Sequence, residues 1–200
     1  MPASGSILGN AVPRREDPGI LRGATRYFDD LQLPGLAHLA FVRSTIAHAR
    51  VTEVDVSEAR TMPGVVAAYA AADLGMAPVH GFVMMPPVFN RAPLASEVVR
   101  FVGDIVAVVV AETRAQAVDA AEAVMVDYDP LPTVVDPEAA LGPDAPLLFP
   151  DHGSNVAIEF NFGEDPNLLD DADVVVSGRF VNQRVAAVPM EPNGVVVDPR

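Results

Sequence analysis

Residues 104–132 read DIVAVVVAETRAQAVDAAEAVMVDYDPLP, and no other stretch limits the possible folds as much. Ile105 to Ala111 is a continuous apolar run, the signature of a strand buried on both faces. Thr113 followed by Gln116 matches a capping box and starts a helix. Val118, Ala121 and Met125 recur at helical spacing on one face, with Asp119 and Glu122 off it. Met125 to Tyr128 returns to strand character, and Asp129-Pro130 closes it. The unit is strand–helix–strand.

Residues 50–71 carry a shorter version of the same pattern. Val51, Val54 and Val56 fall in a strand, Ser57 is a helix N-cap candidate, Pro63-Gly64 is a break, and "VVAAYAA" (65–71) is a further strand. "LAHLAFVRS" (36–44) adds another, and Asp73 a capping residue for a single helical turn. The expectation is an α+β fold with one mixed sheet and helices packed on it. Residues 1–19 read as an extended N-terminal arm, because Pro13 and Pro18 discourage helix. Residues 76–96 form a long loop whose "FVMMPPVF" either packs within the chain or awaits a partner. The Pro/Gly-rich residues 142–155 are the linker candidate. "VAIEFNFG" and "ADVVVSGRFVNQRV" beyond it read as strands. The roughly 45 residues after the linker are too few for a core of ordinary size.

Composition narrows the function classes. Half of the 200 residues are apolar, but only 6% are aromatic and Trp is absent, so the core is built from Val, Ala, Leu and Ile. The net charge of −14 leaves no basic face for phosphate contacts, which argues against nucleic acid as a partner. With no cysteine, thiolate catalysis, disulfides, Fe–S ligation and Cys-type zinc sites are excluded from these 200 residues. No run approaches the 18 or so apolar residues of a transmembrane helix, and the N-terminus lacks a signal-peptide apolar region. A cytoplasmic location is expected.

Few residues suggest chemistry unaided. His38, His48, His80 and His152 lack metal-ligand spacing and read as surface or turn histidines. Glu164, Asp165, Asp170, Asp171 and Asp173 do not have calcium-loop spacing and read as a solvated face. Ser44, Ser57 and Ser177 sit in no nucleophile elbow. Gln183 and Arg184 stand where the strand at 174–181 gives way to a segment bounded by Pro189 and Pro192. Loops at strand ends commonly carry sites. A glutamine offers both a donor and an acceptor, and either a structural or a site role fits it.

Five blocks in order then carry a resemblance: "RREDPGILRGATRYFDDLQLPG", "LAFVRSTIAHARV", "MPGVVAAYAAADL", "VRFVGDIVAVVVAETRAQAVDAAEAVMVDYDPLPTVVD" and "ADVVVSGRFVNQRVAAVPMEPNGVVVDP". The chain resembles the N-terminal part of the large, molybdenum-binding subunit of the xanthine dehydrogenase/aldehyde oxidase family. Within that family the aerobic carbon monoxide dehydrogenase large-chain branch is the nearest likeness. The resemblance implies an a/b hammerhead domain over residues 20–141, and the start of a truncated molybdopterin-binding domain over 156–200. It departs from the family at Asp104-Ile105, where Glu-Pro is usual, at Asn193, where Arg is usual, and at Thr45, where Pro is usual.

By resemblance, Gln183 lies beside the molybdenum and hydrogen-bonds an oxygen ligand from outside the coordination shell. Glu191 is expected to serve structure only. The general-base glutamate and most pterin contacts are expected downstream of residue 200. No catalytic residue and no metal ligand is therefore expected in this chain, which is expected to be inactive alone. The implied partners are the remainder of the molybdenum subunit, an Fe–S small subunit and an FAD medium subunit, with the Fe–S and FAD cofactors on those chains only. A different reading makes the hammerhead a stand-alone, non-catalytic interaction or assembly module that docks through the apolar loop 82–89.

Overall fold

The computed structural model describes residues 8–81, 83, 85–160, 163, 165–183, 185–189 and 191–198. The chain divides into two compact units, one of residues Gly35–Leu168 and one that joins Met1–Pro34 to Leu169–Arg200.

The Gly35–Leu168 unit holds six strands: β1 (His38–Arg43), β2 (Ala49–Asp55), β3 (Val65–Ala70), β4 (Val98–Val99), β5 (Ile105–Ala111) and β6 (Met125–Pro130). Three helices interrupt them: α2 (Ser57–Thr61), α3 (Ala71–Leu74) and α4 (Arg114–Glu122). The α+β class stands, but the expected single mixed sheet is two three-stranded sheets, ordered β1-β5-β3 and β4-β2-β6. Every described pairing in them is antiparallel. Each strand–helix–strand unit starts in one sheet and ends in the other. The reason lies in the strands. β5 is apolar on both faces and takes the centre of its sheet, whereas β6 turns only Val126 and Tyr128 inward and suits an edge.

Register sorts the first sheet into two faces. Ala40, Val109 and Ala68 stand in line across it, as do Val42, Ala107 and Ala70. This face, with Ala59, Ala120 and Val124 from the helical side, makes the main core. Such small side chains let α4 approach the sheet closely, as a chain without Trp requires. The other face lines up Leu39 with Val110, and Phe41 and Tyr69 with Val108. At one end of that face Val106 is covered by Ala49 and Val99 of the second sheet.

Local chemistry sets the element ends. Thr113 caps α4 as expected: its hydroxyl oxygen accepts the Gln116 N–H at 3.3 Å, and the hydroxyl donates to Gln116 Oε1 at 2.8 Å. The buried helix face is Ala117 and Ala120, however, and Val118 and Met125 are exposed. Larger side chains at those inner positions would hold the helix off the sheet. At α2 the capping group is Asp55 rather than Ser57, which is already helical; Asp55 Oδ1 accepts the Ser57 N–H at 2.8 Å. Asp73 accepts the Ala70 N–H at 2.8 Å at the start of α3 and pairs with Arg60 at 2.9 Å.

Both carboxyls are held below the ordinary carboxylate pKa. Asp55 owes this mainly to its hydrogen bonds from Ser57, and Asp73 mainly to the Ala70 N–H, with Arg60 adding to it. A carboxylate whose pKa is depressed by folding stabilises above its unfolded pKa and loses that contribution as pH falls through the folded value. Asp73→Asn should therefore lower the urea midpoint near neutrality, with the gap to the parent closing as pH drops below the ordinary 3.8.

Gly64 turns the chain into β3 with φ at +76°, and its carbonyl accepts the Glu112 N–H at 2.9 Å. A Cβ there would meet the Gln116 side chain, which is engaged with Thr113. Gly64→Ala thus strains the turn and disturbs the cap together. We expect a loss of roughly 1–3 kcal/mol in urea unfolding.

Residues 142–155, expected as a linker, follow a short 3-10 turn at Ala139–Leu141 and carry another at Pro150–His152. Asn155 ties them down, its Nδ2 donating to Ala140 O and Pro146 O at 3.0 Å each and its Oδ1 accepting Leu148 N–H at 3.1 Å.

The second unit holds α1 (Asp17–Leu21), at the end of the expected extended arm. Pro18 does not prevent this helix, because it lies in the first turn, where its missing N–H has no partner to lose. A 3-10 turn follows at Phe28–Asp30. No strand occurs among the unit's described residues, so the expected strand over 174–181 does not form. Residues 156–160 are likewise outside any strand, and Asn161, Phe162 and Glu164 lie outside the described residues. A strand needs a ladder partner, and none of the described segments pairs with these.

Candidate functional site

Gln183 lies in the second unit, solvent-exposed, in a segment without regular secondary structure rather than at a strand end. Arg184 and Met190 lie outside the described residues. Glu191, in the same unit, accepts the Phe28 N–H at 2.9 Å, a backbone-tying role of the kind expected for it. The donor set does not by itself suit a metal: no group of three His, Asp or Glu side chains placed to hold an ion occurs among the described residues. A lone amide can only orient a ligand that other groups hold. Among the described residues, these therefore do not by themselves make up a molybdenum or pterin site.

His48 stands in the bend before β2, a turn position as expected, but it is buried, and its Nδ1–H donates to Pro132 O at 2.7 Å, tying the exit of β6 to the start of β2. A carbonyl can only accept, which sets that proton on Nδ1. His80 and His152 bond to backbone carbonyls of Gly81 and Val156, and the His152 ring meets Phe89 edge-on at 4.7 Å.

A charged node that sequence reading missed sits at the β4–β5 bend. Asp104 is only 6% exposed. Its Oδ1 accepts Arg91 Nη2 at 2.7 Å, and its Oδ2 accepts the Arg100 N–H at 3.2 Å. Arg91 stacks on Phe101 at 4.6 Å and Arg100 on Phe149 at 4.4 Å. Burial lowers the pKa of the Arg100 guanidinium, and the Asp104 carboxylate opposes that shift. The bend needs Gly103, whose φ is +97°. Gly103 N–H donates to Ser44 O at 2.8 Å, and Ser44 N–H to Asp104 O at 2.7 Å. Every charge here has a structural partner, so the node is a latch. It anchors the long loop: Val79 and Arg91 exchange both backbone hydrogen bonds, and Leu94 is buried. Of the apolar loop, Met85, Val88 and Phe89 are half-buried, with the Phe89 ring against Phe149 and His152, whereas Val83, Pro86 and Pro87 are exposed and Phe82 and Met84 lie outside the described residues.

A cleft of about 500 Å³ lies between β1, α4 and β6, with Thr45, Glu122 and Tyr128 as its polar lining beside Arg43. No helix among the described residues is long and apolar enough to cross a membrane.

Relatives define this scaffold. Residues 22–132 match the family model described as aldehyde oxidase and xanthine dehydrogenase, a/b hammerhead domain. The chain is 37% identical over 209 residues to the nicotine 6-hydroxylase large subunit of Paenarthrobacter nicotinovorans, covering 98% of this chain and 25% of that one. It is 40% identical over 201 residues to the carbon monoxide dehydrogenase large chain of Afipia carboxidovorans, covering 92% and 24%. Its fold matches a crystal structure of the Cu,Mo-CO dehydrogenase in the carbon monoxide reduced state with a TM-score of 0.59 and 43% identity, over 72% of this chain and 18% of that one. The chain spans about a quarter of the length of the curated relatives it matches. Two antiparallel sheets bridged by α2 and α4 agree with those matches: the chain belongs to the aldehyde oxidase and xanthine dehydrogenase family and carries its a/b hammerhead domain.

Proposed function

We propose that the chain is the N-terminal scaffold of a molybdenum hydroxylase large subunit and has no turnover alone. The observation that carries this reading is a match over nearly the whole chain to large subunits of which it spans a quarter. The parent reaction is oxidation of a small substrate at a molybdopterin-type molybdenum centre. Fe–S and FAD groups on separate small and medium subunits would take up the electrons. Residues 20–141 act as the hammerhead, 142–155 as its connection and 156–200 as the start of the molybdopterin-binding region, in the cytoplasm. When bound, the cofactor supplies the redox chemistry. Gln183 would offer its side-chain amide as a hydrogen-bond partner that orients a group beside it.

Purification from the native source through a tag on this chain tests the proposal. The expected product is a complex containing molybdenum, iron and flavin, whereas the chain expressed alone contains no molybdenum. Molybdenum near one per isolated chain overturns the reading. Within the complex, Gln183→Ala should lower turnover about 10- to 100-fold with molybdenum content retained. Unchanged turnover removes Gln183 from the site.

A further inference from the structure

Of the seven asparagines in the chain, only Asn193 is followed by glycine. Asn193 and Gly194 are both exposed and lie outside any helix or strand. Among the described residues, no hydrogen bond holds the Asn193 amide or the Gly194 N–H. The pair is nonetheless fixed in place beside one residue. Glu191 accepts the Phe28 N–H at 2.9 Å, and a Cβ at position 194 would run into the Phe28 ring. That close approach restricts position 194 to glycine. It also leaves the Gly194 nitrogen open to its neighbour, because a side chain on the following residue is what ordinarily crowds an asparagine amide away from the backbone. Asn155 has the opposite setting. Its side chain makes three hydrogen bonds, and the stiff, β-branched Val156 follows it.

We propose that Asn193-Gly194 is a site of spontaneous covalent modification in the free chain, and that its conversion loosens the tie to Phe28. The Gly194 backbone nitrogen attacks the Asn193 Cγ. A C–N bond forms, the side-chain amide leaves as ammonia, and the product is a cyclic succinimide. Water then opens the ring at either carbonyl. One opening leaves aspartate at position 193, and the other leaves isoaspartate, whose main chain runs through Cβ and Cγ. No oxidant or reductant takes part. Either product adds a carboxylate to a chain of net charge −14. Isoaspartate also lengthens the main chain between Glu191 and Gly194, the two residues that meet Phe28, so both contacts cannot be kept as they stand.

The test incubates the whole chain at mildly alkaline pH, folded and in urea, in water enriched in heavy oxygen. Peptide mass spectrometry follows the exchange of NH2 for labelled OH at each asparagine. Isoaspartate is scored by carboxyl methylation with an isoaspartyl methyltransferase. In the folded chain the Asn193 peptide should convert at least about tenfold faster than the Asn155 peptide, and within about tenfold of its own rate in urea. Amide exchange at Phe28 should quicken in the isoaspartate form. Asn193→Gln, which must close a larger ring, should remove the signal with a melting curve like the parent's. Conversion at Asn193 more than about tenfold slower in the folded chain than in urea overturns the proposal, because the fold then holds the Gly194 nitrogen away from Cγ. So does a folded-state rate no faster than that of Asn155, or isoaspartate that persists at the parent's level in Asn193→Gln. Conversion with Phe28 exchange unchanged overturns the loosening.

Discussion

Asp104→Ala is expected to lower the unfolding free energy by about 2–3 kcal/mol. The carboxylate is buried and serves two arginines, so its loss leaves the Arg100 N–H without its acceptor and removes the opposing charge beside the partly buried Arg100 guanidinium. Arg91 contributes the smaller share, because its side chain is 56% exposed and water screens the pair. Arg91→Ala should accordingly cost less than Asp104→Ala. Asp104→Asn keeps an oxygen acceptor and should fall between them. The chain has no Trp, so circular dichroism against urea is the suitable measurement. A loss confined to the loop would appear as faster amide exchange around Val79 and Arg91 with an unchanged midpoint. That result would make the node a local clasp rather than a support of the whole unit.

Val109→Ala should cost about 2–3 kcal/mol, since it removes two methyl groups from the centre of the main core. Val109 is fully buried on the central strand, between Ala40 and Ala68 and beneath the helices. Its neighbours are already alanines, which cannot swing in to fill the space. Leu39→Ala deletes more atoms on the open face yet should cost under about 1 kcal/mol in the isolated chain, because half of that side chain is in water. The contrast tests the two-faced sheet directly. Equal losses at the two positions would mean that the open face is covered within the chain itself.

Much of this was legible in the letters. The apolar run 105–111, the Thr113 cap and the Pro63-Gly64 break are local signals, and the structure has β5, α4 and the turn into β3 at those places. The family was legible in the five ordered blocks and is matched over residues 22–132. Helical spacing alone misplaced the inner face of α4, because apolar size drew attention to Val118 while close packing selected Ala117 and Ala120. The same limit applied to His48, Asp104 and the strand character of 174–181. Burial, ion pairing and ladder formation each need a partner that no local window contains.

Sequence by itself determined the secondary-structure alphabet of residues 36–130, the Val/Ala core, the absence of thiol chemistry and the family. Those properties follow from side-chain periodicity, capping groups and composition, which act over a few residues at a time. Tertiary structure alone decided that the strands divide into two antiparallel sheets, that Asp104 latches the long loop, and that one sheet face stays apolar and open. Each of these depends on which of several compatible strands or charges, dozens of residues apart, becomes the neighbour. That choice is made by the packing of the whole unit, where small differences in fit among alternatives outweigh any local preference.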